Sequence, residues 1–264
     1  MTILNVQSDF TTVTEAPCQG ATAHQLEMLY TRYHLASRYS AGKDVLEVAC
    51  GAGMGLGFLA RVARRTVGGD IDECNCAIAE ETYFGRTDIE VKQFDAQELP
   101  LPDASFDVVI LYEALYYIPA PDAFFREARR VLRPGGTLLI STVNCCWGEF
   151  NPSPFSVKYF DATELAESLA RHGFRVEMRG GFPESTGGLA HVIIGLIRKV
   201  AVRLHLIPKT MKGKEWLKRL FYGGLKPIPR ELGPGSSTPA PLDVLAPPYS
   251  ANQYRFIYAI ATLP

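Results

Sequence analysis

The residues best suited to ligand chemistry form a run of small residues behind a single acid. In the stretch VLEVACGAGMGLG, Glu47 is followed at alternating positions by Ala49, Gly51, Gly53 and Gly55. Small residues let the backbone approach a ligand closely, and a helix that begins there directs its free N–H groups at the ligand. The spacing differs from the dinucleotide fingerprint G-x-G-x-x-G. The stretch therefore predicts a nucleotide-like cofactor at the point where a buried strand ends and a helix begins.

A second acid follows the next predicted strand. Asp70, in VGGDID, lies about twenty residues beyond the small residues, where a carboxylate can accept both hydroxyls of a ribose. Asp70 also has a purely structural interpretation, as the cap of a helix that begins at Ile71. Both interpretations stay open on the spacing alone.

The elements that would position these residues alternate along the chain. A leading helix is predicted for 21–40, from apolar and aromatic residues at helical intervals. Strands are then predicted for 44–49, 66–69, 89–94, 106–112 and 137–142. Helices are predicted for 54–63, 73–81 and 121–131. This alternation predicts a parallel sheet with helices on both faces and a ligand at the carboxyl ends of its strands.

The second half of the chain departs from this rhythm. Asp161 is the predicted N-cap of a helix that ends at Arg171, with Glu164 at the capping-box position. A strand over 174–179 is expected to pair with the terminal run 254–262 as the closing antiparallel edge. The residues between these strands are predicted to form a helical cap, followed over 227–248 by an extended loop rich in Pro, Gly and Ser.

The combined pattern resembles the class I (Rossmann-like) S-adenosylmethionine (SAM)-dependent methyltransferases, in particular the type 11 enzymes of small molecules. Their usual first motif is D/E-x-G-x-G-x-G, and VLRPGGTLLI, ending at Ile140, is similar to their last helix, turn and fifth strand. Ala49 stands in place of the first glycine, and its extra methyl group is accommodated if that backbone is not left-handed. The resemblance implies SAM as cofactor, S-adenosylhomocysteine (SAH) as product, and a mostly parallel seven-stranded sheet with an antiparallel last strand.

The resemblance also implies a division of the chain. A flexible arm would occupy residues 1–20, a cofactor-binding core 21–182 and 253–264, and a basic helical cap with a Pro-rich loop 183–252. Because acceptor-binding residues lie in loops and insertions grafted on this scaffold, the resemblance specifies the cofactor well and the acceptor poorly.

Several site residues follow from the resemblance alone. It places Glu47 near the amino group of the cofactor or in a position that orients the loop. It places Asp95 beside the adenine, as an acceptor from the exocyclic amine. Tyr33 matches an aromatic residue that closes over the cofactor, although aromatic residues at helical spacing are commonly core residues. Asp95 has the competing role of capping a turn. The implied cofactor-binding set is Tyr33, Glu47, Ala49, Gly51, Gly53, Asp70, Ile71, Asp95, Ala96, Leu111 and Tyr112.

The acceptor would lie beside the residues that follow the fourth strand. Methyl transfer from a sulfonium is an in-line displacement, so an enzyme mainly aligns the two partners and removes solvent, although an oxygen acceptor usually needs a base. In the sequence LYEALYYIP, Glu113, Tyr116 and Tyr117 are the candidates. A tyrosine with a pKa near 10 is a poor base, so positioning is the safer role for Tyr117. His34 and His191 are alternative bases, although a lone histidine is more often a structural residue.

The predicted cap is strongly basic. Between Arg198 and Glu231 there are ten Lys or Arg residues and two acids, a local excess of +8 in a chain with a formal charge of −1. Interleaved apolar residues indicate amphipathic helices. Three interpretations remain: peripheral contact with anionic lipid through 189–230, binding of an anionic or lipid-like acceptor, or a solvated face over the pocket. No DNA- or RNA-binding module accompanies these charges, which argues against nucleic acid.

Composition bounds the remaining possibilities. A hydrophobic content of 47% and a charged content of 21% are typical of a globular protein, and no apolar run is long enough for a transmembrane helix. The first residues lack the pattern of a signal peptide, and six cysteines are few for this length, so a reduced cytoplasmic setting is predicted. Cys74-x-Cys76 and the pair Cys145-Cys146 lack zinc-site spacing, and no metal is expected.

The sequence favours an enzyme, a SAM-dependent methyltransferase of a small molecule. A SAM-binding protein of the same fold that does not methylate is the main alternative. A nicotinamide-dependent oxidoreductase is a third possibility, which the position of Glu47 argues against. The acceptor atom and the oligomeric state are not specified by these residues.

Overall fold

A computed structural model describes residues 15–153, 155–184 and 224–264. The helices are α1 (Ala23–Ser40), α2 (Leu56–Ala60), α3 (Glu73–Thr82), α4 (Pro121–Val131) and α5 (Ala162–Arg171). The strands are β1 (Gly20–Ala21), β2 (Asp44–Val48), β3 (Arg65–Asp70), β4 (Ile89–Gln93), β5 (Phe106–Tyr112), β6 (Leu132–Val143), β7 (Arg175–Pro183), β8 (Lys226–Pro227), β9 (Leu242–Leu245) and β10 (Tyr254–Thr262). The predicted 54–63 helix is shorter than expected.

Eight of the described strands form one sheet in the order β4-β3-β2-β5-β6-β10-β7-β9. The first five run parallel, whereas β10 lies antiparallel between β6 and β7. The predicted mostly parallel sheet with an antiparallel last strand is therefore confirmed. One strand more than the predicted seven is present, because β9 adds to the outer edge of β7.

Side-chain caps fix where three helices begin. The Thr22 hydroxyl accepts a hydrogen bond from the backbone N–H of Gln25, and the Gln25 side-chain oxygen accepts one from the backbone N–H of Thr22. These two hydrogen bonds form a capping box for α1. Asp161 caps α5 as predicted, by accepting from the Glu164 N–H at 2.8 Å. The cap of α3 is Asp72. The proposed capping role of Asp70 is therefore wrong, and its carboxylate serves another purpose.

The sheet buries apolar residues on both faces because its central strands are covered on each side. Along β5, Val109 and Leu111 join the cluster that includes α4 and α5, whereas Val108 and Ile110 join the cluster that includes α1. Alternation with a period of two sends successive side chains to opposite faces. A strand buried on both faces in this way is typical of a parallel sheet.

Three segments differ from their predicted form. The turn expected within VLRPGGTLLI, at residues 133–136, instead lies inside β6. The pairing of β5 with β6 shifts its register between Phe106 and Val108, and Gly135 has a φ of +76°. In the predicted flexible arm, the described residues from Glu15 onward contact the core, and β1 pairs with β8. The predicted loop 227–248 contains β9. Of the predicted cap and loop at 183–252, residues 185–223 lie outside the described residues.

No helix within the described ranges combines the length and the apolar character needed to cross a membrane.

Candidate functional site

A cavity of about 1190 Å³ opens at the carboxyl ends of β2, β3, β4 and β5. Parallel strands of this kind place their ligands at this edge. Ligand pockets commonly enclose about 300–1,000 Å³, so the cavity has room for more than one small molecule. Predicted site residues in its wall are Tyr33, Glu47, Ala49, Gly51, Asp70, Ile71, Asp95, Ala96, Tyr112, Glu113, Tyr116 and Tyr117.

The loop after β2 is left-handed at three positions. Ala49, Gly51 and Gly53 have φ values of +54°, +56° and +76°. The condition set for Ala49 in the sequence analysis is therefore not met, since a left-handed conformation costs a residue with a Cβ about 1–2 kcal/mol. Gly53 does not line the cavity: a Cβ there would lie 2.7 Å from the Cβ of Ala79, so its small size serves the packing of α3.

Asp70 connects the loop after β2 to the loop after β3. One carboxylate oxygen accepts from the Gly51 N–H at 2.8 Å and the other from the Asp72 N–H at 2.9 Å. Burial raises the pKa of Asp70, while these N–H groups favour the charged form. Each carboxylate oxygen can accept more than one hydrogen bond, so Asp70 can hold both loops and still accept from a ligand in the cavity.

Glu47 is the most deeply buried acid in the cavity wall. The Tyr33 hydroxyl donates to its Oε1 at 2.6 Å, whereas its Oε2 has no hydrogen-bond partner among the described residues. Burial raises the pKa of Glu47 to about 7, and the Tyr33 hydrogen bond and the charge of Arg32 oppose this only in part. A buried, unsatisfied carboxylate oxygen is costly, so this site suits a cationic or hydrogen-donating ligand group.

Asp95 caps a turn and also lines the cavity. Its Oδ1 accepts from the backbone N–H of Gln97 at 2.8 Å and from the Gln97 side-chain amide at 3.1 Å. The turn-capping interpretation of Asp95 is therefore confirmed, but it does not remove the carboxylate from the cavity. Ala96 lies beside it in the same wall.

The segment that follows β5 brings an unusual glutamate into the cavity wall. Glu113, directly after β5, has a φ of +54°, and its Oε1 accepts from the Ser141 hydroxyl at 2.8 Å. A left-handed residue with a long side chain is strained, and such strain clusters at functional sites. Burial raises the pKa of Glu113, whereas the charge of Arg32 and the Ser141 hydroxyl oppose the shift.

Two tyrosines complete this wall. The Tyr116 ring stacks on Tyr159 with centroids 4.9 Å apart, and the Tyr117 hydroxyl lies 3.1 Å from the Ser153 hydroxyl. Burial raises the pKa of both Tyr116 and Tyr117 above the ordinary tyrosine value. Both hydroxyls therefore stay protonated at neutral pH even more completely than that of an exposed tyrosine, which leaves Glu113 as the group of this segment able to act as a base.

An ion pair between a buried arginine and a partly exposed glutamate was missed in the sequence. The Arg32 guanidinium lines the cavity, and its Nη2 donates to Glu15 Oε2 at 2.7 Å. Burial disfavours the charge, but Glu15 and Glu113 outweigh it and raise the pKa of Arg32. The sequence does contain a signal for this pair, because Arg32 lies among apolar residues of α1. A charged side chain that is buried needs a partner of opposite charge.

Two predicted site residues lie elsewhere. Leu111 is fully buried in the core beneath the sheet and is absent from the cavity wall, because its position in β5 directs it to the side of α4 and α5. His34 stacks on Tyr30 at 6.0 Å and borders a separate pocket of about 380 Å³ that lies against Leu242. His34 is therefore wrong as a base for this cavity. His191 lies outside the described residues.

The described residues contain no group of three or more His, Cys, Asp or Glu side chains arranged to hold a metal ion. Cys74 is exposed and Cys76 is buried, so the two thiols of the C-x-C sequence face different environments.

The residues present fit SAM. A SAM molecule carries an ammonium group, a sulfonium, ribose hydroxyls and an adenine amine, and the cavity offers the unpartnered oxygen of Glu47 and the carboxylates of Asp70 and Asp95. The close approach of backbone that a nucleoside requires is provided by the small residues of the loop after β2.

Comparisons with known proteins agree with this fit. A sequence profile described as a methyltransferase domain matches residues 46–140. A probable S-adenosylmethionine-dependent methyltransferase of Mycolicibacterium smegmatis is 41% identical over 57% of this chain, and the match spans 58% of that protein's length. A crystal structure of an S-adenosylmethionine-dependent methyltransferase from Mesorhizobium loti superposes with a TM-score of 0.53 at 18% identity, over 86% of this chain and 96% of that one.

A further relative is matched over most of its length. The ubiquinone biosynthesis O-methyltransferase of Pseudomonas entomophila is 31% identical over 64% of this chain, which covers 71% of that enzyme. That extent of similarity, together with a cavity that suits SAM, shows that the chain belongs to the class I S-adenosylmethionine-dependent methyltransferase family.

Proposed function

We propose that the chain transfers the methyl group of SAM to an oxygen atom of a small-molecule acceptor. The observation that carries this proposal is a single cavity lined both by the three carboxylates of Glu47, Asp70 and Asp95 and by Glu113 with the tyrosines that follow it. When bound, SAM supplies an electrophilic methyl group on a sulfonium.

On the cofactor wall, each acid suits a different polar group. Asp70 is held by two backbone N–H groups in an orientation that leaves it able to accept from ribose hydroxyls. Asp95 can accept from the adenine amine, and Glu47 can accept from the ammonium group. Tyr33 fixes Glu47 through its hydroxyl, so its role is to position the acid.

On the acceptor wall, Glu113 is the residue that can take a proton. A general base works best when its pKa is near the working pH, and burial moves the pKa of Glu113 in that direction. Ser141 donates to one carboxylate oxygen, so the other is the candidate to accept a proton from an acceptor hydroxyl. Tyr116 and Tyr117 then serve to orient the acceptor and exclude water.

An oxygen acceptor is also supported by the relatives. The Pseudomonas entomophila protein is an O-methyltransferase, and this chain is similar to it over 71% of its length. Since the residues that contact acceptors vary most between such proteins, the acceptor itself does not transfer by similarity.

The test is transfer of label from methyl-labelled SAM. The wild-type protein would be incubated with a low-mass metabolite extract supplemented with phenols, alcohols and fatty acids, and products would be separated by mass spectrometry. We expect a labelled ether or ester formed in equal amount with SAH. Formation of an ether, for which the acceptor hydroxyl must give its proton to Glu113, should be lost with Glu113→Gln. Tight SAM binding without any labelled small molecule would contradict the proposal and favour a non-methylating role.

A further inference from the structure

Arg32 is placed where an acceptor would lie. Its side chain is only 9% exposed, yet it borders the cavity together with Met28, Leu29 and Glu113. Nη2 donates to Glu15, and Nε is buried without a partner among the described residues. A guanidinium has five N–H groups in a planar fork, and a buried one with an unsatisfied donor is suited to a further acceptor.

Glu15 is a weakly held partner for such a group. Its side chain is 41% exposed, and Arg32 is the ion-pair partner recorded for it in the described part of the chain. The backbone that follows is anchored independently, since the Cys18 N–H donates to the Ile228 carbonyl at 2.9 Å. Because Glu15 is partly exposed, its carboxylate can turn into solvent when another carboxylate takes its place beside Arg32.

We propose that Arg32 binds a carboxylate of the acceptor, and that Glu15 occupies this position until the acceptor displaces it. The inference rests on the proposed function, because it names the class of acceptor for the same cavity. One carboxylate replaces another, so the exchange leaves the charge around the guanidinium unchanged. A buried guanidinium that lost its only ion-pair partner without replacement would instead be strongly destabilised.

Other charged groups line the same cavity, among them Glu47, Glu113 and Arg255. The charge of Arg32 lowers the pKa of both Glu47 and Glu113, so the guanidinium acts on the part of the cavity that these two acids border. An incoming carboxylate can therefore meet the guanidinium there.

The rest of the acceptor is expected to be apolar. Phe155 and Val157 stand at the rim of the cavity with 48% and 60% of their surface exposed, and Ile118 and Phe256 line it further in. Large exposed apolar side chains beside a pocket are typical of a binding surface. An aliphatic or aromatic acid matches both the apolar rim and the buried guanidinium.

The test is calorimetric binding of octanoate, decanoate and benzoate to the protein saturated with SAH. Decanol and benzamide are the neutral controls. We expect Glu15→Gln to tighten carboxylate binding by about fivefold, because the internal competitor is removed, and Arg32→Gln to weaken it by about tenfold or more, in line with the loss of a charge-assisted contact. Neither variant should change binding of the neutral controls.

Two further measurements keep the outcome clear. Arg32→Lys keeps the charge but loses the planar fork, so it should bind carboxylates at an intermediate level, and its SAH affinity and melting temperature report whether it is folded. The proposal is overturned if Glu15→Gln leaves or weakens carboxylate binding, if both Arg32 variants bind as the wild type does, or if none of the three acids binds. Methyl transfer to a neutral acceptor would leave the proposed function intact in each case.

Discussion

At the scale of single residues, the site is defined by acids whose surroundings differ. Asp70 is predictable from its distance to the small residues after β2, because loop and strand lengths fix where the next strand ends. Arg32 and Glu15 are not, since their pairing joins a segment before α1 to the middle of that helix. No local spacing reports such a contact. The left-handed conformation of Ala49 was equally unpredictable from the sequence, because alanine rarely adopts that conformation.

Glu47 should make stability depend on pH in a direction opposite to that of a salt-bridged acid. Burial raises its pKa from 4.5 to about 7, so between these values the native state holds a proton that the unfolded state has lost. The free energy of unfolding should therefore fall as pH rises through this range, with a contribution of about 3 kcal/mol from this residue. Urea denaturation at pH 5 and pH 8 measures the slope.

Glu47→Gln should remove that slope while keeping an acceptor for the Tyr33 hydroxyl. Glu80→Gln, on the exposed side of α3, serves as the matched control and should leave the slope as in the wild type. An unchanged pH dependence in Glu47→Gln would show that this carboxyl does not titrate between the two values.

Glu113 should set the acidic limb of the rate profile. Because its pKa is raised by burial, the base is neutralised as pH falls through that value, and kcat/KM should decline with it. Glu113→Gln should lower the rate by about 10²–10⁴-fold, the usual range for general-base catalysis, and flatten the profile, with SAH affinity unchanged. A profile in the variant that keeps the same acidic limb would exclude Glu113 as the base.

At the scale of elements, segments with a regular spacing of apolar residues were assigned correctly from the sequence, whereas a strand in a Pro- and Gly-rich segment was missed. The helix predicted for 21–40 corresponds to α1, and the predicted cap at Asp161 marks where α5 begins. By contrast, β9 lies in a stretch rich in Pro and Gly, and the short run LDVL gives too few alternating residues to indicate a strand. Its pairing with β7 comes from the position of the chain in space, which local sequence does not encode.

Gly55 shows how the loop after β2 depends on α1. A Cβ at this position would lie 1.8 Å from Cε1 of Tyr33, so the ring would have to leave its place beside Glu47. Gly55→Ala should lower the free energy of unfolding by about 1–3 kcal/mol, as overpacking does, and weaken SAH binding. Thermal denaturation and calorimetry measure the two effects.

Gly233→Ala is the control, because a Cβ there meets only the Ser236 hydroxyl at 3.7 Å. If Gly55→Ala bound SAH as tightly as Gly233→Ala does, then Tyr33 would have no part in shaping the cofactor wall.

At the scale of the whole molecule, a mostly parallel sheet with helices on both faces was predictable because alternating strands and helices allow few topologies. The role of the basic segment 189–230 was not, since charge and apolar residues in the same stretch suit a lipid surface, an anionic acceptor or solvent alike. Of that segment, the described part pairs β8 with β1 and places Arg230 3.4 Å from Glu81.

Contact with anionic lipid can be measured by pelleting with vesicles. If the basic segment contacts membranes, the protein should sediment with vesicles that contain phosphatidylglycerol at low salt and be released at high salt, since screening weakens surface charge attraction. Vesicles of phosphatidylcholine alone are the control. Failure to sediment with anionic vesicles at low salt would show that the basic segment does not bind anionic membranes.

The central claim is that the cavity at the carboxyl ends of the strands binds SAM through the acid that follows β3. Isothermal calorimetry with SAH and with NAD tests it most directly. The wild-type protein should bind SAH and not NAD, Asp70→Asn should weaken SAH binding by about tenfold or more, as loss of a charge-assisted hydrogen bond predicts, and Asp122→Asn on α4 should bind as the wild type does. Binding of NAD in place of SAH, or equal SAH affinity in wild type and Asp70→Asn, would contradict it.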